Sequence, residues 1–370
     1  MHLFPSGIAE GDAFCNRSVE RNRLRDNITK IKHTVLMAPR RYGKTSLIRQ
    51  VALENNFIYV WIDLLSVTTQ EDVEIKISKA CKELLLQLSP ELKKVQLHTQ
   101  ALVKSLSPEL NLSAMGQTLT LHLTSLQSIP IDETLLQLDA YAEKNGKQAL
   151  LVFDEFQQIS AIHQGASVEA LIRHAIERSK AITYVFSGSN RHLLIDMFSK
   201  SNRPLYRLCR AMFIERISQQ EYASFLNHAA RKQWSKPLSQ EVLQAIVDLT
   251  ECHPFYVNAL CSELWDLEGV PHNRKTVESV WNAYIETHKS IIIADLVDLA
   301  INPKKIIVAL ARTPTKEPYS QAFSLATKLP LSSIKRSLEG LIKKDIVYMT
   351  SHGEYRVLDP ALRSYLLYSA

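Results

Sequence analysis

The chain has 370 residues, 46% hydrophobic and 22% charged, a balance that builds a globular core and excludes disordered or fibrous classes. Its length exceeds one ordinary domain, so two or three are expected. The net charge of +6 is uneven: from residue 301 onward there are eleven Lys/Arg against five Asp/Glu, which alone makes +6. That asymmetry marks a basic C-terminal module, either suited to an anionic or acidic partner or simply well solvated.

The N-terminal "MHLFPSGIAEGDAF" has no basic segment followed by an apolar run, so no signal peptide is expected. Apolar runs such as "SIIIA" fall far short of the roughly 20 residues that span a bilayer, so no membrane partner is expected. The five cysteines (Cys15, Cys81, Cys209, Cys252, Cys261) show no C-x-x-C spacing. Free thiols in a reduced, cytoplasmic compartment are expected, without a zinc site.

In chain order, the apolar runs 33–39 ("HTVLMAP"), 57–64 ("FIYVWIDL"), 148–156 ("QALLVFDEF"), 181–189 ("AITYVFSGS") and, more weakly, 211–217 ("AMFIERI") predict strands covered on both faces. Amphipathic segments such as "TSLIRQVALENN", "EDVEIKISKACKELLLQL" and "SVEALIRHAIERSK" alternate with them. The fold class is therefore α/β with a mainly parallel sheet. Residues 108–123, with leucines on both sides of "SAMGQ", predict an inserted antiparallel hairpin. After 217 the chain turns helical, and from about 301 three helices precede two short strands around "SHGE", the pattern of a winged helix-turn-helix. The expected division is a core over 1–217, a helical lid over 218–300 and a winged helix over 301–370. Trp61, Trp234, Trp265 and Trp281 lie in apolar patterns and are expected in the core.

The string "APRRYGKTS" (38–46) follows the first strand and opens a helix, which is where a phosphate-binding loop must sit. Backbone N–H groups of Ala38, Pro39, Arg40, Arg41, Tyr42, Gly43, Lys44, Thr45 and Ser46 (the proline excepted) would wrap phosphates. Lys44 would reach the β/γ-phosphates and the Thr45 hydroxyl would bind Mg²⁺. Alanine at 38, where the motif has glycine, is tolerable if that residue keeps a negative φ. The third strand ends in Asp154-Glu155, so Asp154 would hold the metal's hydration shell and Glu155 would polarise the attacking water; a strand simply ending at a solvated loop is the plainer reading. Ser187, Ser189 or Asn190 at the end of the next strand would sense a γ-phosphate or cap the following helix. The absence of an N-K-x-D string disfavours guanine.

The segments "DAFCNRSVERNRLRDNI", "APRRYGKTSL", "VFDEFQQI", "FSGSNRHLLIDMF", "RPLYRLCRAMFIERIS" and "CHPFYVNALCSELW", in that order, resemble the archaeal-type ATPase family, a STAND-like branch of the AAA+ P-loop NTPases. The resemblance covers roughly residues 10–290. It implies an ATP/ADP- and Mg²⁺-dependent ATPase with a helical lid. It also implies that Phe14, Arg17 and Glu20 lie near the adenine, that Asp63 is a recurrent acid, and that Arg207 is a γ-phosphate contact in cis or from a neighbouring subunit. His253 and Pro254 would belong to a lid motif lying against the base. The family usually has two glycines before that His-Pro, where this chain has Glu251-Cys252. Arg207 could equally be a surface charge, and His253 a helix start.

In a winged helix the third helix enters the major groove. Here it would present Lys335, Arg336, Lys343 and Lys344, with Arg356 on the wing; the same residues could instead complement the helix dipole. Two functions follow. One is a nucleotide-operated switch controlling self-association or a protein partner; the other is a DNA-binding protein whose affinity ATP tunes.

Overall fold

The computed structural model describes residues 3–89, 109–114, 117–122, 130–350 and 352–368. The chain divides into two compact units. One comprises Ser18–Arg40 and Leu47–Ile214, and the other Met1–Arg17, Arg41–Ser46 and Glu215–Ala370. Among the described residues no helix is long and apolar enough to cross a membrane.

The first unit is built on a five-stranded sheet of β1 (Thr34–Met37), β2 (Ile58–Asp63), β5 (Ala149–Asp154), β6 (Ile182–Gly188) and β7 (Arg210–Phe213). Every pairing is parallel, in the order β2-β5-β6-β1-β7. All five predicted strands are present, and β6 lies between β1 and β5. The runs are continuously apolar because both faces are covered: β1, β6 and all of β5 but its last residue are buried. The Asp139 carboxylate fixes where β6 starts. Its Oδ1 accepts from Ser179 Oγ and from the N–H groups of Ala181 and Ile182, and its Oδ2 from that of Lys180, at 2.5–3.0 Å. A buried carboxylate with this many donors is fully compensated. The predicted hairpin is present as β3 (Glu109–Ala114) and β4 (Gln117–His122), paired antiparallel.

The second unit is mostly helical. Helices Gln219–Trp234, Gln240–Thr250, Pro254–Trp265 and Arg274–Ile292 precede Ile301–Arg312, Gln321–Thr327 and Leu331–Lys343, then the hairpin β8 (Val347–Met349) and β9 (Tyr355–Val357). Its side chains form one core that takes in Phe4 and Cys15 and runs from Ile217 to Leu362, so residues 218–300 and the winged helix share a single hydrophobic interior. Trp281 is fully buried there and donates its indole N–H to Ser364 Oγ at 3.1 Å. Trp265 is also buried, whereas Trp61 and Trp234 are only partly so, a correction to the expectation for all four.

A last helix, Pro360–Tyr368, does not emerge from the hydrophobic pattern. Its start was nevertheless written in the sequence: Asp359 Oδ1 accepts from the N–H groups of Ala361 and Leu362 at 2.8 and 3.0 Å, and Pro360 occupies the first turn.

Candidate functional site

In the sheet unit, β1 ends at Met37 and passes into Ala38 and Pro39, both buried, and Arg40, exposed. Ala38 lies outside the left-handed region, while Arg41 (φ +64°) and Gly43 (φ +82°) lie inside it. The motif's second glycine therefore sits in left-handed backbone, Arg41 adopts that region without one, and the missing first glycine adds no left-handed strain.

Asp154 and Glu155 at the end of β5 are held differently. Asp154 Oδ1 accepts from Ser187 Oγ at 2.6 Å and from the Glu155 N–H at 3.0 Å. Its Oδ2 takes no hydrogen bond among the described residues. Glu155 sits in left-handed backbone (φ +51°), which turns its side chain out of strand alternation. Its Oε2 accepts from Ser189 Oγ at 2.8 Å, from the Ser189 N–H at 3.3 Å and from Gln157 Nε2. Arg40 Nε donates to the same Ser189 hydroxyl at 3.3 Å. The three candidates at the end of β6 thus separate by role. Ser187 holds Asp154, Ser189 holds Glu155, and Asn190 caps helix Arg191–Ser199 through the Leu193 N–H at 3.1 Å.

Arg207 is exposed and left-handed (φ +54°), with its guanidinium 5.0 Å from the Tyr206 ring centroid and its N–H on the Phe198 carbonyl. No hydrogen bond brings it to Asp154 or Glu155. Asp63 caps its own loop through the Leu65 N–H at 2.9 Å. For Mg²⁺, the test is the donor set. Asp154 offers one uncommitted carboxylate oxygen, and the described residues contain no cluster of three or more His, Cys, Asp or Glu. Few protein oxygens and no closed cage is the arrangement Mg²⁺ takes when it keeps its waters, so the residues fit.

In the helical unit, residues 41–46 carry the rest of the loop. Lys44 is buried at the start of helix Lys44–Glu54, Thr45 is half-buried, and Ser46 Oγ accepts from the Ala9 N–H at 3.0 Å. Arg17 is buried and donates Nη2 to the carbonyls of Tyr42 (3.0 Å) and Glu215 (2.9 Å). Tyr42 meets His253 edge to face, centroids 4.9 Å apart, and the Arg41 guanidinium stands 4.1 Å from the Phe255 ring centroid. His253 itself is buried, with Nδ1 unpartnered among the described residues; burial, then the charges of Arg216 and Arg41, lower its pKa to about 3. Pro254 opens helix Pro254–Trp265.

Sequence reasoning missed the residue at the centre of this unit. Arg216 donates to the Glu251 carbonyl (3.0 Å), Glu251 Oε2 (2.7 Å), the Leu358 carbonyl (2.8 Å) and Tyr42 Oη (3.3 Å). An arginine after a short apolar run carries no signal for this. Gln157, two residues past Glu155, was given no role either.

On the winged helix, Lys335, Arg336, Lys343 and Lys344 are exposed, while Ile334, Leu338 and Leu341 of the same helix are buried. Arg356 is half-buried and paired with Glu354 at 2.5 Å.

Residues 294–368 match the family described as "Probable winged helix domain". A comparison with curated proteins gives no match. Among solved structures, the chain is similar to the Walker-type ATPase of Pyrococcus abyssi, with a TM-score of 0.70 and 19% identity over 99% of both chains. It is also similar to the ORC2 protein of Aeropyrum pernix. In the ADPNP-ADP complexes the TM-score is 0.56 at 13% identity, covering 99% of this chain and 96% of that one. In the ADP form it is 0.53 at 12% identity with the same coverage. The parallel sheet with its central extra strand, the glycine-bearing loop after β1 and the C-terminal match together give a P-loop NTPase fold that ends in a winged helix domain.

Proposed function

We propose that this chain is an ATP-binding and ATP-hydrolysing switch of the AAA+/STAND-like kind. In this reading 1–217 is the ATPase core, 218–300 the lid and 301–370 the winged helix that the nucleotide state repositions. The observation that carries it is the unequal treatment of two adjacent acids: Asp154 keeps one oxygen uncommitted, and Glu155 is pinned through Oε2 with no donor on Oε1 among the described residues. That is the division of labour expected of a metal-holding acid beside a water-polarising one. A neighbour of the same fold, the ORC2 protein, was solved with ADPNP and ADP, which supports an adenine nucleotide.

Lys44 would neutralise the β/γ-phosphates, and Thr45 with Asp154 would hold Mg²⁺. Once bound, that ion would neutralise charge developing on the phosphate oxygens. Glu155 Oε1 would accept a hydrogen bond from the attacking water and orient it. Arg40, Arg41 and Tyr42 would line the cradle, and Arg17 would fix its backbone. Arg207, solvent-exposed, would contact the γ-phosphate in cis or from a neighbouring subunit of a homo-oligomer. Phosphate release from ATP by the wild-type protein, lost in Lys44→Ala, tests the reading; equal rates would sink it.

A second reading is favoured by the exposed basic face of helix Leu331–Lys343. There Lys335, Arg336, Lys343 and Lys344, with Arg356, would contact DNA phosphates, and ATP would tune that affinity.

A further inference from the structure

We infer that Gln157, accommodated by Gly188, is a positioning residue for Glu155, holding the carboxylate so that only Oε1 faces the reaction; this rests on the ATPase reading above. Gln157 lies two residues past Glu155 in the short helix Phe156–Ala161. The Gln158 N–H donates to the Glu155 carbonyl at 3.0 Å, and Ser160 Oγ donates to the Gln157 carbonyl at 2.7 Å. These bonds fix the turn that brings the amide back onto Glu155 Oε2.

The amide is 4% exposed, and its Oε1 has no partner among the described residues. A residue present only to fill this space would carry no polar atoms, since an unmet buried acceptor is a net cost. What the amide gives in return is one charge-assisted donor to a carboxylate, the stronger kind of hydrogen bond. Together with the Ser189 N–H and hydroxyl it places three donors on Oε2. Such pinning removes rotational freedom from the group that must meet a water at a set angle.

Gly188, the last residue of β6, is what makes the arrangement fit. A Cβ there would lie 1.8 Å from Gln157 Oε1 and 3.0 Å from Gln157 Cδ. Its φ is not in the left-handed region, so the requirement for glycine is steric; it comes mainly from Gln157, with Leu194 Cδ1 a looser neighbour at 3.2 Å.

The test combines steady-state hydrolysis at saturating ATP with equilibrium titration of a fluorescent ADP analogue. Gln157→Leu should lower kcat about 10- to 100-fold, the scale of misplacing a catalytic group, while nucleotide affinity stays within about threefold of wild type. Gly188→Ala should fall by a similar factor by displacing the amide. In a Gln157→Ala background, however, Gly188→Ala should cost far less, because the main clash is gone and only the looser 3.2 Å approach to Leu194 Cδ1 is left. A Gln157→Leu protein within threefold of wild-type kcat overturns the inference, as does a Gly188→Ala effect that multiplies with that of Gln157→Ala. Should Gln157→Leu fail to fold, the Gly188→Ala cycle decides alone. A wild-type protein that binds nucleotide but never hydrolyses it defeats the ATPase reading instead, which keeps the two failures apart.

Discussion

Arg216 and Glu251 are joined twice, through the Glu251 carbonyl at 3.0 Å and its Oε2 at 2.7 Å, while Glu251 Oε1 accepts from Arg363 at 3.0 Å. One carboxylate, about 10% exposed, thus lies between a guanidinium just past the sheet's last strand and one from the C-terminal helix. Glu251 and Cys252 both have left-handed backbone, φ +47° and +57°. Glycines would suit these two positions, yet they hold an acid that bonds to Arg363 of the C-terminal helix and a buried thiol.

Glu251→Ala keeps the backbone strain and strands two partly buried cations, so it should destabilise the protein by about 3 kcal/mol. Glu251→Gly loses the same ion pairs but relieves the left-handed penalty, so it should be about 1 kcal/mol less harmful than alanine. Urea unfolding of the three proteins checks the order. If glycine is no better than alanine, the strain argument is wrong; if neither loses stability, the ion pairs contribute nothing.

The sheet was legible because strands covered on both faces must be continuously apolar, and the phosphate loop because only a few residues fit its backbone. The hairpin at 109–122 was legible from leucine alternation. Arg216 was not legible, since its acceptors on Tyr42, Glu251 and Leu358 lie far apart in sequence and only folding gathers them. Gln157 and Gly188 were each visible beside a motif, but the clash that links them exists only once β5 and β6 lie side by side. Of the three hydroxyl or amide candidates after β6, only the hydrogen bonds separate the cap, Asn190, from the residues that hold Asp154 and Glu155.

Lys44→Ala and Glu155→Gln should fail in different ways. The first removes a buried cation from the loop and should weaken ATP binding at least tenfold. The second removes the group that polarises water and should cut hydrolysis by about 100-fold or more while binding holds. Titration with a fluorescent nucleotide, alongside phosphate release, distinguishes them; matched losses of affinity in both proteins would contradict the assigned roles.

The winged-helix reading for DNA makes a salt-dependence prediction. Each phosphate contact contributes about 0.9 to the slope of log K against log salt, so Lys335→Ala/Arg336→Ala should flatten that slope by about 2 if both touch phosphates. Anisotropy of a labelled random duplex between low and moderate salt gives the measurement. No complex with the wild-type protein at low salt rules DNA out and leaves the switch.

Glu169 gives a pH prediction with a definite sign. It is fully buried in helix Gly165–Ile176 against Arg203, yet its Oε2 has no partner among the described residues. Burial pushes its pKa up from 4.5 to about 7, and the Arg203 charge only partly opposes this. A raised folded-state pKa means that its contribution to stability is complete below about pH 4.5 and is lost as pH rises through 7. Buried His33 and His253 titrate the other way: burial lowers their pKa values to about 4 and about 3, so their contribution is present above 6.5 and lost as pH falls. The comparison must therefore be between variants, in which the histidine contribution cancels. Relative to wild type, Glu169→Gln should gain on the order of 2 kcal/mol between pH 4.5 and pH 7 and then level off. Arg203→Met, which removes the opposing charge, should extend the wild-type decline to higher pH. Thermal unfolding across that range decides the matter: parallel curves for wild type and Glu169→Gln would mean that Glu169 stays ionised beside Arg203 throughout.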